Sequence, residues 1–437
     1  MASSSTVRLT LGQWPEYYRS PITQDATDAV SKFLQKNHDE HHIFFNDEGF
    51  HNHIVHHLLT IWALGANSKD IENAYNTNKS YQRPPRPINK AIVDGMHQPD
   101  VFSKYLGNEK HYHDYLIYFQ EEINRSSWQE VTNRYLLADD DRANDMLARL
   151  FGGFLHPLIH LGFGVEFHQP AIIAEALAQA AVHDAWMGKY LFPAEEAASK
   201  MADQPDKTIV QLIDDIHADE KLRDAPKWSD GNKVRDGIIG RAADRMLEYA
   251  AQFNVRANTL ERQTAEMINA VAYYTAGAQR PDKMHKIDFY YMHCVNCSIF
   301  YSAFHKQDWI SDAHKARLLE WKVRTDLAMY ASRKSPDIRM EDIRDYKPKM
   351  ASGWAGIEDR VVKFDDDGHA SKLIRALAHG QQICQPYEDR DEFRLKHDDW
   401  LQIGHMVIDS VEGAKQNWVR SAGFEEAWID IPPRAQL

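Results

Sequence analysis

The sequence predicts an all-α protein, built as a large bundle or array of many helices. Glycine and proline together make up about 9% of the chain (21 and 17 of 437 residues), below the roughly 12% that is usual, and scarce chain breakers favour long helices. Apolar residues recur with helical spacing over most of the chain. Because 43% of the residues are hydrophobic, the chain can bury a sizeable core.

The predicted helices follow one another along the chain. The stretch 49–66 places Ile54, Leu58 and Ile61 on one stripe, and Gly65 ends it. Pro170 suits the first turn of an alanine-rich, closely packed helix that runs to about residue 186. The same periodicity predicts helices over 22–37, 109–124, 126–137, 141–153, 205–217, 233–252, 257–277, 283–305 and 312–331.

Two segments break the helical pattern. Residues 78–90 are polar and proline-rich and predict an irregular connection, and residues 333–365 are mixed and charged and predict a surface excursion. Three aspartates at 365–367 then precede GHASKLIRALAHG, a predicted helix that ends at Gly380. Neither a repeat nor a convincing linker divides the sequence. We therefore expect a single domain over 1–437.

Charge and cysteine content limit the partners. The net charge of −13 repels a phosphate backbone, so we expect no nucleic-acid partner. Three cysteines, Cys294, Cys297 and Cys384, are too few for a disulfide framework and indicate a reducing compartment. The N-terminus lacks an apolar signal core, and no run of about 18 apolar residues occurs. We expect a cytoplasmic protein without a membrane partner, as a monomer or homodimer.

Common cofactor motifs are missing from the sequence. The nearest dinucleotide fingerprint, Gly162-Phe-Gly164-Val-Glu-Phe167, lacks its third glycine and a preceding strand. No phosphate-binding GxxxxGK[ST] loop and no GxSxG motif occurs. The isolated CxxC of Cys294 and Cys297 lies in a helical pattern, so we interpret it as two small buried residues rather than a zinc or redox site.

Histidine is the unusual residue, with 23 in the chain. His53 and His57 lie four residues apart, the spacing of the HExxH metal motif, although its glutamate is missing. A single histidine on an apolar helix is usually a satisfied core residue. Several together need a partner for each buried imidazole, and a metal supplies one. Further histidines in apolar segments are His156, His160, His293 and His369.

Lys372 follows the predicted start of its helix by about one turn. The positive end of the helix dipole and burial both favour the neutral amine. A neutral lysine beside His369 can coordinate a metal or add carbon dioxide to form an anionic carbamate. The alternative is a solvated lysine whose stem covers apolar surface.

Four segments together resemble the questin oxidase-like family, whose fungal members act in anthraquinone-derived polyketide pathways. The resemblance covers roughly residues 40–385, leaving 386–437 as a C-terminal helical extension packed on the domain. It implies a buried active-site cavity and oxidative opening of an anthraquinone ring toward a benzophenone or xanthone skeleton. The segments are GFHNHIVHHLLTIWALGA, HPLIHLGFGVEFHQPAIIAEALAQAAVH, DFYYMH and GHASKLIRALAHG.

The resemblance also implies a non-haem Fe(II) site with histidine ligands and a carboxylated lysine. Carried over residue by residue, the ligands are His53, His156, His293, His369 and Lys372. NADPH is a possible reductant. Candidate acid–base residues are His57, His160 and Glu166, and the candidate wall for a flat aromatic substrate is Phe163, Phe167, Trp62 and Tyr290.

Two other functions remain open at this point. The family history allows an NADPH-dependent, flavin-independent Baeyer–Villiger monooxygenase without bound metal. A non-catalytic helical scaffold, in which the histidines only cap and pack, is the alternative of another class.

Overall fold

The computed structural model describes residues 1–201 and 207–434. Within these ranges the chain is helical apart from loops, turns, isolated bridges and one small parallel sheet, β1 (Ile287–Asp288) with β2 (Trp418–Val419). This architecture confirms the predicted all-α class. The α-helices are α1 Gln24–Glu40, α2 Ile54–Ala63, α3 Ser68–Lys79, α4 Lys90–Gly95, α5 Pro99–Lys104, α6 Tyr112–Arg125, α7 Trp128–Thr132, α8 Asp141–Leu150, α9 His156–Glu166, α10 Pro170–Val182, α11 Gly188–Lys200, α12 Ile209–Ala218, α13 Glu220–Asp224, α14 Gly240–Ala250, α15 Leu260–Gly277, α16 Tyr291–His305, α17 Asp312–Ser332, α18 Met340–Arg344, α19 Trp354–Val361, α20 His369–Cys384 and α21 His397–Val411.

The chain forms two compact units. The first unit comprises residues 1–188, 306–310 and 362–375. The second unit comprises the remaining ranges, 189–305, 311–361 and 376–437. Each unit joins segments that are distant in sequence, and the prediction of one domain over the whole chain stays a prediction.

The first unit is centred on α9 and α10. Every residue of α9 is buried, and so is every residue of α10 after Pro170, as expected for helices that are apolar on all sides. A Cβ at Gly164 of α9 would lie 2.6 Å from Cγ1 of Ile173 of α10. Glycine therefore permits the close approach of α10 to α9, the helix that holds two of the predicted site histidines, His156 and His160.

The predicted end of helix α20 is wrong. Helix α20 does not stop at Gly380 but runs on to Cys384. A Cβ at position 380 would lie 2.7 Å from Cη2 of Trp400. The glycine is thus a packing residue that admits the indole of α21, rather than a helix terminator.

Other predicted segments differ in detail. The charged stretch 333–365 is no plain surface excursion, because it contains α18 and α19 with buried Ile343 and Ile357. The predicted helix over 205–217 corresponds to α12, and its residues 205 and 206 lie outside the described part of the chain. Cys294 and Cys297 are buried free thiols within α16, as the sequence indicated.

Among the described residues, no single helix combines the length and apolarity that crossing a membrane needs, although a sharply bent pair, 141–150 with 153–166, meets that test by length and composition.

Candidate metal centre

Three histidines of the first unit meet at the starts of three helices. His53 immediately precedes α2, and His156 and His369 are the first residues of α9 and α20. One nitrogen from each lies within 4.8 Å of the others, and all three residues are buried. The Nε2 atoms of His53 and His156 are only 2.8 Å apart. This group of three, called the histidine cluster below, is the candidate metal centre.

Three residues in the left-handed backbone conformation precede His156 and place it at the start of α9. Gly153, Phe154 and Leu155 all have positive φ, at 52°, 54° and 70°. For Phe154 and Leu155 this conformation costs about 1–3 kcal/mol each, and such strain persists where the surroundings enforce it. The turn brings the Gly153 carbonyl 2.6 Å from Nδ1 of His156, so the imidazole is fixed at the helix start.

The start of α20 is fixed by the acidic run. The carboxylate of Asp366 accepts hydrogen bonds from the backbone N–H of Gly368 at 2.7 Å and of Ala370 at 2.9 Å, which satisfies amide groups that the first helical turn leaves free. Gly368 has φ +86°, and a Cβ there would lie 2.6 Å from Cβ of His57. Only glycine combines this turn with this contact, and the turn places His369 in the cluster.

Asp367 holds two of the imidazoles at once. Its Oδ2 accepts from Nδ1 of His53 at 2.8 Å, and its Oδ1 accepts from Nδ1 of His369 at 2.5 Å. Burial alone would raise the pKa of Asp367, but the adjacent His369 and His53 lower that pKa well below its usual range. The carboxylate is therefore ionised and accepts only. A carboxylate on the outer nitrogen is the usual support for a histidine that binds a metal.

The hydrogen bonds at Nδ1 fix the tautomers of the three histidines. Both a carbonyl and an ionised carboxylate accept, so Nδ1 of His53, His156 and His369 carries the proton. Burial and the nearby Lys372 lower the pKa of His53 to about 3, so this imidazole is neutral and its Nε2 offers a lone pair. The two Nε2 lone pairs of His53 and His156 face each other at 2.8 Å, an arrangement that repels unless a cation lies between the donors. The residues therefore fit a metal ion.

Lys372 is a buried amine one turn after His369. Its Nζ has no hydrogen-bond partner among the described residues. Burial lowers the pKa of Lys372 to about 8, while Asp367 and Asp366 act in the opposite direction. Leaving a buried ammonium unpaired costs free energy. A neutral amine that binds a metal, or a carbamate that does so, removes this cost.

The predicted acid–base residues lie in three different settings. Nδ1 of His57 is 3.3 Å from the Asn78 amide nitrogen, and its Nε2 is buried without a partner among the described residues. Burial lowers the pKa of His57 to about 4. Nε2 of His160 lies 2.8 Å from Oε2 of Glu175. Glu166 forms a buried ion pair with Arg375, whose Nη1 lies 3.1 Å from Oε2, and the role of these three residues as acids or bases stays a prediction.

The predicted aromatic wall divides between the two units. In the first unit Phe163 stacks on His56 with ring centres 5.1 Å apart, and Phe167 lies 5.9 Å from Trp62. In the second unit the guanidinium of Arg333 lies 3.9 Å above the ring of Tyr290. Phe163 thus contacts His56, which is adjacent to His53 in the first unit. The role of all four aromatics in substrate binding stays a prediction.

His293 belongs to the second unit. It is buried in the first turn of α16, where its Nδ1 donates to the Phe289 carbonyl at 2.6 Å. This leaves Nε2 as the nitrogen that can accept, the same tautomer as in the cluster. The three-histidine group does not include His293, and its role as a ligand stays a prediction.

Sequence reasoning missed two carboxylates beside the histidines, Asp367 and the buried Glu175. In the sequence Asp367 is only one of three acidic residues before a helix, but in the structure its carboxylate accepts hydrogen bonds from His53 and His369. Glu175 is the single charged residue of α10, PAIIAEALAQAAV. A lone glutamate in an otherwise apolar buried helix demands a partner, and that signal was available from the sequence.

Comparisons with known proteins cover most of this chain. The questin oxidase-like family model matches residues 50–377, a range that includes all five predicted ligands. A Baeyer-Villiger monooxygenase of Cryptosporiopsis sp., dmxR6, is 41% identical over 93% of this chain and 94% of its own. Questin oxidase of Aspergillus fumigatus is 37% identical over 99% of this chain and 100% of its own. A Baeyer-Villiger oxidase of Pestalotiopsis fici, ptaJ, is 38% identical over 93% of each. With a family model that spans three quarters of the sequence and relatives that align over nearly all of it, the chain belongs to the questin oxidase-like family.

Proposed function

We propose that this protein is an oxygenase that opens the ring of an anthraquinone-type polyketide, using dioxygen and a non-haem iron ion held by the histidine cluster. The single observation that carries the proposal is the convergence of buried Nε2 atoms whose outer nitrogens are all tied to acceptors. The relatives are named oxidases and monooxygenases, which supports an oxidoreductase activity. The name questin oxidase supports an anthraquinone-type substrate.

His53, His156 and His369 would hold the ion through Nε2, with Lys372 and His293 as the further ligands that the family resemblance implies. Imidazole nitrogens suit iron, and a carbamate on Lys372 would add an anionic oxygen that offsets the charge of the ion. Fe(II) supplies one-electron chemistry toward dioxygen, which otherwise reacts slowly with a closed-shell aromatic for reasons of spin. Asp367 keeps two of the imidazoles in the tautomer that binds metal.

The chain's own residues would position the substrate and handle its proton. Phe163, Phe167 and Trp62 supply flat apolar surface, as a planar polycyclic ligand requires. His57 stays neutral at physiological pH and, with the Asn78 amide on Nδ1, presents Nε2–H as a donor for a phenolate or carbonyl oxygen. The buried setting limits water, which strengthens such a hydrogen bond.

A second candidate function is an NADPH-dependent Baeyer–Villiger monooxygenase without bound metal, and the names of several relatives favour it. A step of that type inserts oxygen beside the ring carbonyl, and hydrolysis of the ester then opens the ring. In the iron proposal NADPH serves at most as a reductant for the quinone or the metal.

One experiment separates these candidates. Anthraquinone consumption and oxygen uptake are followed in the purified protein before and after removal of metal by a strong chelator, with NADPH present and absent. The iron proposal predicts that ring opening stops on chelation and returns with Fe(II). Turnover that needs NADPH and survives chelation supports the second candidate. A protein that consumes no substrate under any of these conditions supports the scaffold.

A further inference from the structure

The loop that leads into the histidine cluster is folded back on itself. It comprises residues 43–52 and is called the aromatic loop below. The backbone N–H of Asn52 donates to the Ile43 carbonyl at 2.8 Å, and the N–H of Phe45 donates to the Phe50 carbonyl at 2.9 Å. In such a paired arrangement successive side chains point to opposite faces. The aromatic loop therefore has an inner face and an outer face.

The inner face of the aromatic loop packs on imidazoles beside the candidate metal centre. Phe44 is buried, and its ring centre lies 5.2 Å from that of His51 and 5.4 Å from that of His183. The ring of His51 in turn stacks on that of His156, with centres 3.9 Å apart. The inner face is thus one ring contact away from the histidine cluster, and the loop ends immediately before His53.

The outer face carries aromatic rings that reach solvent. Phe50 is 42% exposed and Tyr81, which follows α3, is 40% exposed, whereas Phe45 is half-buried. The ring centre of Phe45 lies 5.9 Å from that of Phe50 and 5.0 Å from that of Tyr81. These three residues are called the outer aromatic group below. Contiguous exposed apolar surface of this kind often marks a binding site.

Hydrogen bonds tie the outer aromatic group to the candidate metal centre. The Tyr81 hydroxyl donates to Oδ1 of the buried Asn78 at 2.5 Å. Nδ2 of Asn78 donates to the Asp366 carbonyl at 3.2 Å, and the next residue, Asp367, holds two imidazoles of the cluster. The position of the Tyr81 ring is therefore fixed relative to the cluster, and the outer aromatic group borders the candidate site.

The size of the outer aromatic group favours a small ligand over a protein partner. An aromatic side chain offers roughly 150–250 Å², so three rings at about 40% exposure present at most about 300 Å². A stable protein interface needs about 800 Å² on each partner. The exposed, charged Asp47 and Glu48 at the tip of the loop limit the apolar surface further. A flat aromatic molecule can stack on such rings with little loss of conformational freedom.

We propose that the outer aromatic group binds one face of the flat aromatic substrate and so forms the outward part of the substrate site. This inference rests on the proposed function and names residues that set its specificity. Phe50 and Tyr81 supply ring surface, and Phe45 packs against both. Because the group offers only ring surface, it binds the ground state and the transition state equally, and such binding acts on KM rather than on kcat.

The test measures the binding of 1,8-dihydroxyanthraquinone to the metal-free protein by titration calorimetry. For Phe50→Ser we expect the Kd of this probe to rise by about 3- to 10-fold, because one aromatic contact is lost. Phe50→Tyr keeps a ring at this position and should show the wild-type Kd. The matched control is Trp14→Ser, which removes an exposed aromatic ring elsewhere in the same unit and should leave the Kd unchanged.

Substitutions at Tyr81 separate ring surface from hydrogen bonding. Tyr81→Phe keeps the ring and should bind the probe like the wild type, whereas Tyr81→Ser should raise the Kd as Phe50→Ser does. Equal losses in both Tyr81 variants would contradict a role of the ring surface. Because Phe50 is exposed, the Phe50 variants carry the test even where Tyr81→Ser fails to fold.

A second readout uses the iron-loaded enzyme. For Phe50→Ser we expect the KM for an anthraquinone substrate to rise by the same factor as the Kd of the probe. The kcat should stay within about twofold of the wild type, and the iron content should be unchanged. A fall in kcat that parallels a loss of iron would instead show that the substitution acts on the metal centre, against the proposal.

Three further results overturn the proposal. The first is a Phe50→Ser protein that binds the probe as tightly as the wild type. The second is an equal loss in Trp14→Ser, which would indicate adsorption to any exposed ring. The third is a wild-type dimer, seen by sedimentation, that Phe50→Ser dissociates, because a second copy of the chain would then cover this face. Failure of the proposed function is distinguishable, because the probe then binds with the expected pattern of variants while the wild type opens no anthraquinone.

Discussion

The carboxylate of Asp367 lies 2.8 Å from Nδ1 of His53, across 314 residues of sequence. The same carboxylate bonds His369 two residues further on. Two helix starts that are far apart in sequence are thereby fixed against each other. Asp367 thereby orients two of the three imidazoles of the cluster.

The substitution Asp367→Asn tests whether the Asp367 carboxylate holds His53 and His369 in the tautomer that binds metal. The amide nitrogen cannot accept from Nδ1, so at least one imidazole loses its fixed tautomer, and loss of such a support commonly lowers metal affinity by about 10- to 100-fold. Competition with a chelator measures the affinity. Asp365→Asn, in the exposed residue of the same run, is the control and should bind iron like the wild type. Equal affinity in both variants would contradict the role of Asp367.

Lys372→Ala should lower both iron content and rate, because it removes the amine or carbamate that we place on the metal. Small added carboxylates should partly restore both. Stability of the metal-free protein should not fall as it does for an ordinary core truncation, because the substitution removes a buried amine without a partner. Lys363→Ala, at an exposed position, is the control. Normal iron loading in Lys372→Ala removes the lysine from the site.

Glu166→Gln should act on stability rather than on the chemistry. It breaks the buried ion pair with Arg375, and loss of one partner of such a pair costs about 3–5 kcal/mol. Urea unfolding measures the loss, and a second change, Arg375→Met, should recover part of it. The folded variant should keep its iron and a kcat within about threefold of the wild type. A large fall in kcat at unchanged stability would instead make Glu166 a catalytic residue.

Gly368→Ala should disturb the cluster through the backbone. The new Cβ meets His57 at 2.6 Å at a φ of +86°, and strain and overlap together cost roughly 2–5 kcal/mol. Iron content should fall with stability, because the turn places His369. Gly12→Ala, which has nothing within 4 Å of its Cβ, serves as the control. A variant as stable as this control, with full iron content, would refute the account of the turn.

Glu175 should make the protein sensitive to acid. Its pKa in the folded chain is about 2, below the ordinary value of 4.5, so its stabilising contribution is full above pH 4.5 and is lost as the pH falls toward 2. The contribution amounts to about 3 kcal/mol. Between pH 5 and pH 3 the urea midpoint of the wild type should therefore fall more steeply than that of Glu175→Gln. Parallel curves would show that Glu175 is not paired as described.

The fold class and the approach of His53, His156 and His369 to one another could be predicted from the sequence. Helical periodicity and scarce breakers report local structure, and the family segments carry His53, His156 and His369. The left-handed turn at Phe154 and the role of Asp367 were not accessible. Both depend on which distant helix start lies opposite, and this is fixed by tertiary packing rather than by local pattern.

The extent of α20 shows the same limit. Gly380 has the sequence signature of a helix end, but packing against Trp400 lets the helix continue. Local propensity was overruled there by a contact with a residue that follows in another helix. Glu175 is the opposite case. Its position as the single charged residue of an apolar helix predicts that it has a buried partner, and the structure identifies that partner as His160.

The most direct test of the central claim is metal analysis by inductively coupled plasma mass spectrometry on protein purified without added metal, with the triple variant His53→Ala, His156→Ala, His369→Ala alongside. The account predicts close to one iron per chain in the wild type and almost none in the variant. Wild-type protein that holds far less than one metal ion per chain, and whose turnover a strong chelator leaves unchanged, would contradict it.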